Sequence, residues 1–232
     1  MDKDDIKQED EALLYVKNNY KFIIENFCKD IPSTNGRAVS IFMAGSPGVG
    51  KTEFSKRLLE NFKGLAVRID PDEVRLLIPN YNGQNATLFQ KAATRGTEKI
   101  HDYVLKKNKN FILDTTFRDY EKSRNNILRS IDKGRFVLIQ YLYQDPKIAW
   151  EFTKKREEKE KRGIPVDFFI DSLFLAKENV DRIKDEFGNK VEINLAVVDY
   201  RSDKWDIRLN IEKIDNHLKM EYTKEDLKKM LC

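Results

Sequence analysis

The chain has 232 residues, 43 Lys and Arg against 39 Asp and Glu, and a net charge of +4. That length suits one α/β domain with a full core, and the mild charge fits an anionic substrate without compelling nucleic acid. Membrane and secreted classes are excluded as expectations: no apolar run nears the ~20 residues of a span, the acidic start lacks a leader's apolar core, and Cys28 and Cys232 suggest a reducing, cytoplasmic setting without disulfides.

Residues 5–30 carry Leu13, Val16, Tyr20, Ile23 and Phe27 on one helical face. After the loop 32–37, Val39-Ser-Ile-Phe-Met-Ala44 reads as a strand. Gly45-Ser46-Pro47-Gly48-Val49-Gly50-Lys51-Thr52 then fits G-x-x-x-x-G-K-[ST], the phosphate-binding loop. Phe54, Leu58, Leu59 and Phe62 follow at helical spacing, so the motif sits between strand and helix, the context it needs. Leu65–Asp70 is the second strand, with a short helix from Pro71 that stops near Pro79. The turn-rich 79–86 precedes a long helix over 87–106. Phe111–Asp114 is the third strand, 119–132 a helix and 135–143 the fourth strand. Helices over 146–161 and 166–187 are separated by Gly163-Ile-Pro165. Residues 191–198 form the fifth strand, 205–212 fits a sixth, and helices near 212–219 and 223–231 close the chain.

Alternating strands and helices predict an α/β P-loop kinase-type three-layer sandwich: a mostly parallel sheet of five or six strands with helices on both faces. The expected organisation is one unit over 1–232. It comprises an N-terminal helical extension (1–37), a core (38–185) with a lid near 150–165, and C-terminal strands and helices (186–232). Ligands in such sheets sit beyond the carboxyl ends of the strands, so the residues to weigh lie just past each one.

In the loop, Lys51 is placed to reach the β- and γ-phosphates of a nucleoside triphosphate, and Thr52 to ligate Mg²⁺. After the second strand, Asp72 is the candidate base for an acceptor hydroxyl, and Arg75 shares its helical face. Asp70 and Asp72 also suit capping of the helix that begins there. After the third strand come Asp114, Thr116 and Arg118. Asp114 fits a Mg²⁺ or acceptor contact, and equally a cap at a strand-end turn. Arg156 and Arg162 fit a mobile segment that stabilises charge on a transferring group. The mixed charges of 153–162 fit a solvated helix face as well. Phe168, Phe169, Leu173, Phe174 and Leu175 read as packing residues. Trp150, Trp205 and both histidines, His101 and His217, are assigned to core or surface.

Taken together, Ala44–Glu53, Arg68-Ile-Asp-Pro-Asp-Glu-Val-Arg75 with Pro79 and Tyr81, Ile112-Leu-Asp-Thr-Thr-Phe-Arg118 and the stretch Thr153–Pro165 resemble the zeta toxin family of P-loop kinases. The resemblance covers about residues 39–185. It implies ATP-dependent phosphorylation of a sugar hydroxyl of UDP-N-acetylglucosamine and neutralisation by an antitoxin protein. It also implies roles: Asp72 as base, Lys51 and Thr52 at phosphate and Mg²⁺, and Arg156 and Arg162 in the lid. Asp114, Thr116 and Arg118 would lie at the acceptor; Arg75, by its place on the Asp72 face alone, is a candidate to hold an anionic part of it. Two other activities share parts of this pattern. A polynucleotide 5′-hydroxyl kinase would carry the same Asp-x-x-Arg element, though the chain shows no aromatic-basic stripe for single strands. An NTP-hydrolysing switch would need residues that position a water rather than an acceptor, and the Asp-x-x-Arg element and the lid favour transfer to a hydroxyl.

Overall fold

A computed structural model describes residues 2–199, 201 and 204–231. Cys232 and part of the stretch 199–204, which follows the expected fifth strand, lie outside the described residues. Helix α1 (Lys3–Cys28) starts ahead of its apolar pattern because Asp2 and Asp5 cap it reciprocally. Strand β1 (Val39–Ala44) runs into the glycine-rich loop, and helix α2 (Lys51–Asn61) leaves it. Strand β2 (Ala66–Ile69) leads to α3 (Pro71–Leu76), where Asp70 accepts from the Asp72 N–H and Pro71 sits at the first turn.

The long helix α4 (Gln90–Lys106) begins three residues later than the sequence pattern suggests. Asn82 and Asn85 accept hydrogen bonds from each other's backbone N–H and hold the preceding residues as turns. Strand β3 (Asn110–Leu113), helix α5 (Tyr120–Ile131) and strand β4 (Phe136–Tyr143) follow. Asp119, not Asp114, caps α5. Helix α6 (Pro146–Glu160), capped by Asp145, and α7 (Val166–Phe187) match their expected spans. Strands β5 (Glu192–Asp199) and β6 (Lys204–Arg208) complete the sheet, and α8 (Lys224–Leu231) is the last helix. The helix expected over 212–219 is absent; only a 3₁₀ turn, Ile214–Asn216, forms there. The Asp181 carboxylate accepts from the Ile214 and Asp215 N–H groups at 2.6 and 3.3 Å, pinning the segment to α7 rather than letting it coil on.

The six strands lie in the order β2-β3-β1-β4-β5-β6, all parallel except β6. Successive side chains of a strand face opposite ways, and both faces here are apolar. Phe42, Phe111 and Leu113 pack with Val16, Ile100, Ile127 and Val180 from α1, α4, α5 and α7. On the other face Ile41, Met43 and Ile112 pack with Phe54 and Leu58 of α2, and with Trp205 of β6. Parallel pairing brings the carboxyl ends of β1, β2 and β3 to one edge, so residues 45–52, 70–75 and 114–118 meet there.

Candidate active site

One cavity of about 1130 Å³ opens at that edge. Pro47, Gly48, Gly50, Lys51 and Thr52 line it, while Gly45, Ser46 and Val49 are buried behind them. Gly48 has φ +75°, and a Cβ there would run into the Ala149 carbonyl oxygen and lie 2.5 Å from Thr153 Oγ1. Only glycine lets α6 lie against the loop. Gly50 is the N-cap of α2 and brings no side-chain cap, so the helix turns its first N–H groups toward the cavity as an anion receptor. Lys51 Nζ donates to the carbonyls of Gly45 (2.9 Å) and Ser46 (2.7 Å). Burial lowers its pKa, and the nearby Asp114 carboxylate opposes that shift.

Near Lys51 lies a charge cluster built on the buried Arg68, Asp70 and Asp114, with Glu73 at its exposed edge. Arg68 donates to Asp70 (2.5 Å), Glu73 (2.5 Å) and Ser55 Oγ (2.8 Å), and sits 3.6 Å from Asp114. Asp114 is 8% exposed. Burial, with Asp70 alongside, pushes its carboxyl up to about 7 against the pull of Lys51 and Arg68.

Asp72 lines the same cavity, in the first turn of α3. Its carboxylate accepts from Arg162 (2.5 Å), Arg156 (2.8 Å) and Arg75, which also reaches Gln90. Burial alone would raise the Asp72 pKa; Arg162, Arg75 and Arg156 together hold it below the usual carboxylate value. Arg156 and Arg162 come from the end of α6 and the segment after it, 84 and 90 residues from Asp72 in sequence. This segment is seated on the α3–α4 connection: Gly83, at φ +86°, packs so tightly against the Glu160 carbonyl that no Cβ would fit. Arg162 is half-buried against Asp72, while Arg156 stays exposed and also pairs with Glu160 at 2.7 Å, as a residue on the solvated face of α6 does.

Thr116 and Arg118 line the same cavity. Arg118 lies 4.5 Å over the Phe168 ring and 3.8 Å from Asp171. Phe168 thus belongs to the cavity wall, a correction to its reading as packing; Phe169 and Leu173 are core, as expected. The cavity then extends between α4 and α5. Gln90, Thr94, Thr97, Glu98 and His101 line one wall, and Lys122, Ser123 and Asn126 the other. Sequence reading missed this arm. The signal was present as a polar stripe at helical intervals along α4, next to the apolar stripe of Ala92, Ala93, Ile100 and Val104.

The family model for Zeta toxin matches residues 25–209. No curated protein sequence matches the chain. Among solved structures, one from the PezAT chromosomal toxin-antitoxin system of Streptococcus pneumoniae superposes with a TM-score of 0.66 at 17% identity, covering 93% of this chain and 90% of that one. AvrRxo1-ORF1:AvrRxo1-ORF2 with sulphate ions gives a TM-score of 0.57 at 11% identity, covering 91% and 70%. The same complex with ATP gives 0.56 at 10% identity, covering 87% and 65%. At these identities the structural matches establish a shared fold, the α/β arrangement of a P-loop kinase.

Proposed function

We propose a kinase activity for this chain from one premise: it belongs to the zeta toxin family. The reaction is transfer of the γ-phosphoryl group of ATP to a hydroxyl of an anionic small molecule, with a UDP-amino sugar such as UDP-N-acetylglucosamine as the leading acceptor. The observation that carries the reading is the convergence of Asp72 and two arginines from the 150–165 segment on a cavity that also holds the phosphate-binding loop.

In this reading the loop N–H groups and Lys51 hold the phosphates of ATP. Lys51 exchanges its Gly45 and Ser46 carbonyl contacts for phosphate oxygens, a change that favours its charged form. Thr52 and the buried Asp114 have the oxygen chemistry to hold Mg²⁺, which would neutralise phosphate charge when bound. Asp72 orients the acceptor hydroxyl and takes its proton as that oxygen bonds to the γ-phosphorus and the bond to the ADP oxygen breaks. Arg156 and Arg162 stabilise the charge that spreads over the transferring group. Both arginines pair with Asp72, so engaging the phosphate would draw them off the base. Loss of those contacts raises the Asp72 pKa and makes it a stronger base when the donor is in place. Thr116, Arg118 and Arg75 hold the acceptor. An antitoxin partner is part of the proposal, supported by family membership and by the description of the Streptococcus pneumoniae match as a toxin-antitoxin system.

The test is to incubate the protein with γ-labelled ATP and Mg²⁺ against UDP-sugars, nucleosides, 5′-hydroxyl oligonucleotides and water. Label on a UDP-amino sugar supports the reading. Label on the oligonucleotide replaces it with a polynucleotide kinase, and free phosphate alone with an NTP-hydrolysing switch.

A further inference from the structure

The sheet has two edges, and the chain covers only one of them. Strand β2 is buried at all four residues, with α1, α2 and α4 against it. Strand β6, at the other edge, is exposed at every residue except Trp205, which packs on Phe54 and Arg57 of α2. The inner side of β6 pairs with β5, and among the described residues no strand pairs with its outer side. Ile207 is 50% exposed, and Leu209, just past the strand, is 69% exposed. An uncovered edge presents a row of N–H and C=O groups to a second strand, and charged side chains are the usual device against such pairing. In β6 the charges Lys204, Asp206 and Arg208 share one face, and Asp206 and Arg208 already touch at 3.0 Å within the strand.

The order of those charges selects one partner, a second copy of the same strand. Two copies joined edge to edge and antiparallel obey a two-fold axis, so the residue at the axis faces itself and its neighbours face each other crosswise. Three registers pair five or more residues of the stretch 204–210, with the axis at Asp206, Ile207 or Arg208. An axis at Asp206 sets Asp206 against Asp206 and Lys204 against Arg208. An axis at Arg208 sets Arg208 against Arg208. An axis at Ile207 sets each Asp206 against an Arg208, Ile207 against Ile207, and Trp205 against Leu209. Like charges directly opposite are destabilising, whereas opposite charges and aromatic–aliphatic pairs are favourable. Only the axis at Ile207 avoids every like-charge pair, and it also pairs the longest stretch. The same charges that repel a strand in the other two registers therefore attract one in this register.

We propose that β6 is an interface between two copies of this chain, which pair antiparallel about a two-fold axis at Ile207 and join their sheets into one of twelve strands. Strands β1 to β5 then run in opposite directions in the two copies, so the two cavities open at opposite ends of the joined sheet. The stretch 204–210 offers far fewer than the ~20–30 residues a side of a standard interface, so the dimer is weak, with a Kd on the order of 10⁻⁵ M. The dimer does not depend on the kinase activity, and it gives the C-terminal strand a role outside the cavity.

The test is sedimentation velocity of the full chain over two decades of concentration around that Kd, with melting temperature measured in parallel. Wild type should pass from monomer to dimer. Ile207→Lys, which sets like charges against each other at the axis, and Asp206→Arg, which sets arginine against arginine, should each weaken the dimer at least tenfold. Both positions are exposed, so melting temperature should stay near wild type. Asp206→Arg combined with Arg208→Asp should recover the dimer. Oxidative cross-linking reads the register, in a Cys232→Ser background where the remaining Cys28 is buried. Ile207→Cys should give a disulfide dimer, because directly opposed Cα atoms lie ~4.5–5.5 Å apart. Asp206→Cys should not, because its two copies are offset by two residues along the strands, about 7 Å. Wild type that stays monomeric overturns the interface. A dimer that survives Ile207→Lys and Asp206→Arg, that the charge exchange fails to recover, or that cross-links through Asp206→Cys overturns the axis at Ile207.

Discussion

The two ends of the cavity differ in how densely they carry charge. At the donor end Lys51, Asp72, Arg75, Arg156 and Arg162 each hold hydrogen-bond partners from the chain itself. At the far end, between α4 and α5, hydroxyl and amide side chains line the walls with one charge of each sign, Glu98 and Lys122. The donor end must therefore exchange partners to bind a phosphate, trading one set of ion pairs for another. The far end holds no such knot of ion pairs around one carboxylate. Such an arrangement puts control of the reaction at the donor end and selection of the acceptor at the other.

The largest effect that sharpens this contrast is Lys51→Ala. Transfer should fall to background and ATP affinity should drop, read by equilibrium titration with a fluorescent ATP analogue. Retained ATP binding would show that the loop backbone alone holds the phosphates. Arg162→Ala and Arg156→Ala come next, lowering kcat by roughly 10- to 10³-fold with little change in acceptor KM. Arg162 should matter more, because its side chain is 23% exposed and Arg156 is 43% exposed and shared with Glu160. Equal, negligible losses in steady-state kinetics would return both to the solvated helix surface.

The smallest expected effect concerns stability and pH. Asp114 has an ordinary value of 3.8 and is pushed up to about 7 in the folded chain. The folded state then holds a proton that the unfolded chain releases above pH ~4, so stability is lost as pH rises from about 4 to 7. Asp114→Asn removes that loss. Its melting temperature relative to wild type should climb across this window and level off above it. A difference that is flat with pH would mean the buried carboxyl does not titrate there.

Much of the donor end was legible in the sequence because its chemistry is written contiguously. A phosphate-binding loop needs its glycines and lysine within eight residues, and Asp72 and Arg75 are separated by one helical turn. The sheet was legible for the same reason, as short apolar runs between amphipathic helices. What stayed hidden depends on tertiary placement. The grip of Arg156 and Arg162 on Asp72 joins residues 84 and 90 positions apart. The α4 stripe that ends at His101 uses ordinary helix-surface residues, and only the gap between α4 and α5 makes them a wall. The Ile214–Asn216 turn looked helical because its cap comes from Asp181 on a distant helix. Phe168 carries the same apolar pattern as its core neighbours, and only the Arg118 guanidinium over its ring sets it apart.

The account turns on Asp72 as a base held in check by the arginines that later serve the phosphate. The most direct measurement is rapid-quench transfer from γ-labelled ATP to UDP-N-acetylglucosamine by wild type and Asp72→Asn, with ATP affinity measured in parallel. The account predicts a loss of roughly 10²–10⁴-fold in transfer and ATP binding at least as tight as wild type, since the arginines no longer have a carboxylate to leave. Near-normal transfer, or ATP affinity that falls along with it, would contradict both the base and the exchange.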